Sequence, residues 1–143
     1  MHSFIFPAVA ICSLTSIPVF GQPVKSADVP AVVKTAFQQK YPKAMGVTWE
    51  KEKGNYEANW GGVSKEDNSV QFTPRGVFVE MEVAIPVAQL PAGVAAYVKT
   101  NYGGVKITEA GKVTDAAGNL RYEAEVKGRD LLFDEKGNFL KKD

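Results

Sequence analysis

The chain has 143 residues, and its 17 basic and 16 acidic side chains leave a net charge of +1, with 45% hydrophobic residues. Near-neutrality excludes the electrostatic footprint of a nucleic-acid or anionic-membrane binder. The one Cys and one His, Cys12 and His2, both stand near the start, so the rest of the chain has no disulfide, no thiol nucleophile, and neither of the side chains that most often ligate metals or act as general bases.

Residues 1–21 contain no Lys, Arg, Asp or Glu and carry the apolar run Phe4-Ile5-Phe6-Pro7-Ala8-Val9-Ala10-Ile11. This pattern predicts a secretory signal peptide. Pro7, Ser13, Thr15, Ser16 and Pro18 interrupt the roughly 20 apolar residues that a membrane-spanning helix needs. Val19 and Gly21 fit the small-residue cleavage rule and place cleavage after Gly21, which directs the mature chain to the periplasm or the exterior. Cys12 follows Ile11, where a lipid-anchored precursor would carry a small residue, so a lipoprotein is not expected. Residues 22–27 read as a polar, flexible leader containing Pro23.

From Asp28 onward the chain repeats itself. Val29-Pro30, Tyr41, Phe72, Gly76 and Phe78 recur as Leu90-Pro91, Tyr102, Phe133, Gly137 and Phe139, all at a shift of 61 residues. The repeat predicts two units, 28–85 and 86–143, in one rigid body. In each unit an amphipathic helix comes first. Val29, Val32, Val33, Ala36, Phe37 and Tyr41 recur at helical spacing after Asp28 as N-cap and before Pro42; Leu90, Gly93 or Val94, Tyr97, Val98 and Tyr102 do the same before Gly103-Gly104. Gly93 weakens the second helix by about 1 kcal/mol relative to Ala.

The period then falls to 2. Tyr56, Ala58 and Trp60 alternate with Glu57 and Asn59, and Leu120, Tyr122, Ala124 and Val126 alternate with Arg121, Glu123 and Glu125. Glycine turns at Gly54, Gly76, Gly118 and Gly137 punctuate the strands. The expected class is α+β, a tandem repeat of a helix packed on a four-stranded antiparallel sheet.

Leu90-Pro91, Tyr97-Val98, Tyr102, the Glu82-Val83-Ala84-Ile85-Pro86 run, Tyr122-Glu123-Ala124-Glu125-Val126 and Phe133-Asp134-Glu135-Lys136-Gly137 together resemble the PepSY-like family of bacterial exported proteins. That family is also described as beta-lactamase-inhibitor-like. The resemblance covers nearly all of the mature chain, although Thr73-Pro74-Arg75-Gly76 departs from the family's Asp-x-x-Gly turn. It implies a beta-lactamase-inhibitor-like fold and an exported, non-enzymatic domain that binds or inhibits another protein, such as a hydrolase.

Four groups of residues are candidates for chemistry. The segments Asp115–Asn119 and Asp134–Asn138 lack the alternating oxygen donors of a calcium loop and read as turns. Glu57, Glu123 and Glu125, with Asn59 and Arg121, share the open face of a sheet, where they can meet a protein partner or, as the alternative, serve a carboxylate-dependent hydrolase that uses Glu123 with Glu57 or Glu125. The charges of Glu50–Lys53 and Glu80–Glu82 read as solvated strand or edge charges. Trp49, on a weakly alternating strand, is a candidate aromatic anchor, whereas Tyr56, Trp60 and Tyr122 read as core.

The nine-residue stretch Gly61 to Ser69, with Lys65, Glu66 and Asp67, is the largest departure from the repeat and a candidate specificity loop. A small hydrophobic ligand between helices and sheet is a further alternative. No cofactor or metal is expected, the partner is a protein of the cell envelope, and neither nucleic acid nor, after signal cleavage, membrane is expected to bind.

Overall fold

The structure, a computed structural model, describes residues 21–63 and 66–142. The expected signal peptide, apart from Gly21, lies outside the described residues, and so does Lys65. In chain order the elements are β1 (Gln22–Val24), α1 (Ala31–Lys40), β2 (Thr48–Glu52), β3 (Asn55–Trp60), β4 (Asn68–Phe72), β5 (Phe78–Ala84), α2 (Ala92–Tyr102), β6 (Ile107–Asp115), β7 (Leu120–Val126), β8 (Asp130–Asp134) and β9 (Phe139–Lys142). No helix among the described residues is long and apolar enough to cross a membrane.

The expected pair of four-stranded sheets does not form. All nine strands make one antiparallel sheet in the order β1 to β9. The joining contact is β5 against β6, in register from Glu80 opposite Asp115 to Ala84 opposite Gly111. A strand of alternating polarity presents N–H and C=O groups on both edges, and pairing satisfies both rows. The polar leader is a second correction. Gln22, Pro23 and Val24 pair with Lys51, Glu50 and Trp49 as an edge strand, a position that accommodates Pro23.

The helices form where the apolar spacing places them, but α1 starts differently. Ser26–Asp28 is a short 3-10 turn and Pro30 is the N-cap, with no side-chain cap bond, so Asp28 does not cap the helix. Tyr41 closes α1 through its N–H to Phe37 O, and Gly103, at φ 66, closes α2. Val33 and Phe37 are buried, while Val32, expected on the same stripe, is 51% exposed.

Register shows that both helices lie on one face. Trp49, Ala58, Val70 and Met81 stand opposite one another across β2 to β5, and this row continues into Thr114 and Leu120. Two steps along β7 from Leu120 and four from it come Tyr122 and Ala124, on the same side of the pleat. Around α1 the core is Val29, Val33, Phe37, Trp49, Ala58, Val70 and Phe72; around α2 it is Val94, Val98, Ala124, Val126, Leu131 and Phe133. Each large apolar side chain withdrawn from water contributes about 1.5–3 kcal/mol.

Two hairpin turns reach up to the helices. A side chain at Gly76, between β4 and β5, would meet the Val32 carbonyl oxygen at 2.9 Å, and one at Gly93 of α2 would meet that of Gly137, between β8 and β9, at 2.7 Å. Gly93 is therefore explained by close approach of backbone to backbone, which a helix-propensity argument alone does not detect.

Candidate functional site

The second face of the sheet is polar. Asn59, Ser69, Glu82, Val113, Arg121 and Asp134 form one in-register row across β3 to β8. Beside it run Glu57, Gln71, Glu80 and Asp115 on one side and Ala84, Gly111, Glu123, Leu132 and Lys141 on the other. The small residues Ala84 and Gly111 lower the surface between taller neighbours. A cleft of about 350 Å³ opens there, lined among others by Glu82, Thr108, Glu109, Gly111, Glu123, Glu125 and Asp130, and bordered by Glu66 and Asp67.

Gly111 makes room for a specific group. A side-chain carbon at this position would overlap Glu82 Oε1, so the Glu82 carboxylate lies in the space that any other residue would fill. On β3, Glu57 accepts a hydrogen bond from Ser69 Oγ, and Glu52 Oε2 accepts one from Gln71 Nε2 at 3.3 Å. Arg121 Nη2 binds Glu80 Oε2 at 2.9 Å, while the buried Arg121 Nε has no hydrogen-bond partner among the described residues. Thr108 Oγ1 donates to Glu125 Oε1 at 2.5 Å and so fixes one wall of the cleft.

Burial is the main reason that the Glu57 carboxyl is pushed up to about 7; its bond from Ser69 opposes the rise, and Glu52, Glu50 and Glu80 add to it. Glu82 is raised the same way, to about 7, by burial first and then by Glu57, Asp130, Glu80 and Glu52. Glu50 on β2 is also raised, chiefly by burial. Too little water and too many like charges reach these groups for all of them to ionise easily.

Of the residues expected from the sequence to meet a partner, Glu57, Asn59, Arg121, Glu123 and Glu125 stand on this face, with Asn59 only 8% exposed. Glu66 and Asp67 stand exposed at its border, where Asp67 O accepts from Ala84 N and ties the loop to the end of β5. Trp49 stands on the opposite face, 6% exposed, with its ring edge-on to Phe37 at 5.3 Å. It is a packing residue with no ring surface to offer a partner.

Glu80, Glu82, Gly111 and Asp130 were not anticipated as site residues. Glu80 and Glu82 read as solvated or edge charges because nothing in their own strand reveals the partner on its far side. Asp130 reads from sequence as the end of the Lys127–Asp130 loop, and only the pairing of β8 with β7 places it opposite Glu125.

The two acidic turns are closed by local hydrogen bonds. Asp115 Oδ1 accepts from the N–H groups of Ala117 and Asn119, and Asp134 Oδ1 accepts from those of Lys136 and Asn138, all at 2.8–2.9 Å. The side-chain amides of Asn119 and Asn138 donate to Asp115 Oδ2 and Asp134 Oδ2 at 3.0 and 2.8 Å, and these bonds first, then those from the backbone, hold both carboxyls below their ordinary range.

A family model described as "Putative beta-lactamase-inhibitor-like, PepSY-like" matches residues 19–61 and 59–141. Several solved structures share the fold. One, described as a "putative periplasmic" protein of Bacteroides eggerthii, is 21% identical, with a TM-score of 0.63 over 80% of this chain and 88% of its own. A DUF2874 family protein of Bacteroides ovatus is 24% identical, with a TM-score of 0.61 over 80% and 86%. A BLIP-like protein of Bacteroides fragilis is 19% identical, with a TM-score of 0.55 over 80% and 85%. At these identities the likeness establishes the architecture alone. No curated protein matches the chain.

Proposed function

The chain belongs to the PepSY-like, beta-lactamase-inhibitor-like family, and we propose that it is an exported, non-enzymatic binding module whose acidic cleft receives a cationic segment of an envelope or secreted protein, such as a hydrolase that it inhibits. The observation that carries this reading is the cleft itself, where Glu82, Glu109, Glu123, Glu125 and Asp130 converge beside Glu66 and Asp67. Complementary charge of this density favours a Lys- or Arg-bearing loop and speeds its encounter. Export is supported by the charge-free run of residues 1–21 and by the periplasmic description of a protein of the same fold. Inhibition of a hydrolase is suggested by the family's description and by the BLIP-like structure of the same fold.

The hydrolase alternative is disfavoured for its Glu57 form. Glu57 on β3 and Glu123 on β7 stand four strand spacings apart, about 19 Å of sheet, whereas paired carboxyls in glycoside hydrolysis work at about 5–10 Å. Reversing the charge of the cleft tests the binding reading. The mature chain, cross-linked in its own cell envelope, is expected to retain one partner at low salt, with affinity reduced about tenfold or more by Glu123→Lys combined with Glu125→Lys. Equal affinity of the reversed variant for the same partner would assign binding to another surface.

A further inference from the structure

The net charge of +1 is the sum of two sides of opposite sign. On the polar face the charged strand residues are carboxylates apart from Arg121 and Lys141. The helix side is the reverse. Its helices carry Lys34, Lys40 and Lys99 and no acid. The charged strand residues that share this side are Lys51, opposite Tyr56, Lys112, opposite Tyr122, and Lys142, opposite Leu131. In the segments that lead into and out of the helices, Asp28 stands against Lys25, Lys43 and Lys106. Composition, which excludes a basic footprint on the average, does not see this segregation.

The helix-side lysines keep their charge. No carboxylate among the described residues pairs with Lys34, Lys40, Lys51, Lys99 or Lys112. Lys34 Nζ donates to Ser26 O at 3.0 Å, Lys40 Nζ lies 4.5 Å from the centre of the Phe78 ring, and Lys51 Nζ lies 5.5 Å from that of Tyr56. These neutral partners hold the side chains without cancelling their charge. Exposed apolar groups stand among them. Val32 is on α1, Val77 is in the turn that approaches α1, and Val83 is directly opposite Lys112 in the interval between the helices. Phe139, also exposed, stacks on Tyr97 of α2 at 4.4 Å. Lysines interspersed with apolar side chains on one rigid side match the boundary of an anionic bilayer, where phosphates meet the ammonium groups and the upper acyl chains receive the apolar tips. A soluble polyphosphate or a nucleic acid answers the charge alone.

We propose that the helix side of the molecule is a docking surface for an anionic lipid bilayer. The molecule lies on the headgroups by α1 and α2 without crossing, and its acidic face is turned away from the bilayer toward soluble partners. The lipid contact does not depend on what the cleft receives.

Sedimentation of the mature chain with lipid vesicles tests the surface. Vesicles of equal parts phosphatidylcholine and phosphatidylglycerol are expected to carry the protein down at low salt and release it as salt rises, whereas phosphatidylcholine alone is expected to bind at least about tenfold more weakly. Lys40→Gln combined with Lys99→Gln and Lys112→Gln, all at exposed positions, is expected to weaken the anionic binding at least about tenfold. Lys127→Gln combined with Arg129→Gln and Lys136→Gln removes the same charge from hairpin turns and is expected to weaken it less than about threefold. With a spin-labelled lipid in the vesicles, the amide signals of α1 and α2 are expected to broaden while those of Glu123 and Glu125 stay sharp. No binding to anionic vesicles, equal losses from the two triple variants, or broadening centred on the polar face would each overturn the proposal. Capture by soluble polyphosphate without capture by vesicles would overturn it as well.

Discussion

At the scale of single residues, glycines give opposite expectations. Gly93→Ala replaces a poor helix former with the best one, a gain of about 1 kcal/mol on propensity alone. The new methyl would meet the Gly137 carbonyl oxygen at 2.7 Å, and backbone cannot swing aside. The variant is therefore expected to be less stable by about 1–3 kcal/mol in urea denaturation. Gly111→Ala meets the end of a flexible side chain instead. It is expected to cost less than about 1 kcal/mol and to expel the Glu82 carboxylate into solvent, with the Glu82 carboxyl falling back toward its ordinary value when followed by NMR.

The two raised carboxyls also fix the sign of a pH dependence. Glu57 and Glu82 bind protons more tightly folded than unfolded, with ordinary values of 4.5 raised to about 7. Their contribution to stability is complete below about 4.5 and is lost as pH rises through about 7. Glu57→Gln keeps the shape without the charge. It is expected to match the parent near pH 4.5 and exceed it by about 1–3 kcal/mol at pH 8, measured as a shift in urea midpoint at each pH. Equal stabilities at both values would show that the folded chain does not raise this group.

At the scale of elements, Trp49 shows what β2 does for the sheet. Its ring bridges a strand to α1 through Phe37, which also meets Trp60 edge-on at 5.3 Å. Trp49→Ala is expected to cost about 3–5 kcal/mol in denaturant, as for other buried aromatics cut to Ala. The sequence Thr48-Trp49-Glu50-Lys51 alternates too weakly to reveal which way the ring points. By contrast, the helical spacing of Val33 with Phe37 and of Val94 with Val98 was legible, because an amphipathic helix needs only its own residues to declare its buried face. The pairing of β5 with β6 was not. Glu80, Met81, Glu82 and Val83 would alternate in the same way at an edge or in a sheet interior, and the partner lies beyond a whole helix. The site suffered the same loss: Glu123 and Glu125 were visible as a strand face, but Glu82 joins them only through that pairing. Amide hydrogen exchange at this contact is the direct check. β5 and β6 amides are expected to be protected as strongly as those of the β3–β4 hairpin, whereas rapid exchange confined to β5 and β6 would mean a sheet split in two.

At the scale of the whole molecule, the continuous sheet couples two apolar cores that share no helix. One forms under α1 and the other under α2, and the backbone bonds of β5 to β6 span the interval. Denaturant unfolding is expected to follow a single transition with coincident signals from Trp60, beside the first core, and from Tyr97 and Tyr122, beside the second. Two separated transitions would show that the cores are independent.

The order of the strands has a last consequence, for the way the chain acquires its shape. Each strand's neighbours in the sheet are its neighbours along the chain, from β1 to β9. Only β1–β2 and β5–β6 close across a helix, and every other pairing joins strands linked by a short turn or loop, so loop-closure entropy stays small for most of the sheet. A chain emerging from its amino end can add one strand at a time to the growing edge and finish each core as soon as the corresponding helix has been followed by its strands. That order keeps the growing sheet edge open to its own next strand more than to a stranger's.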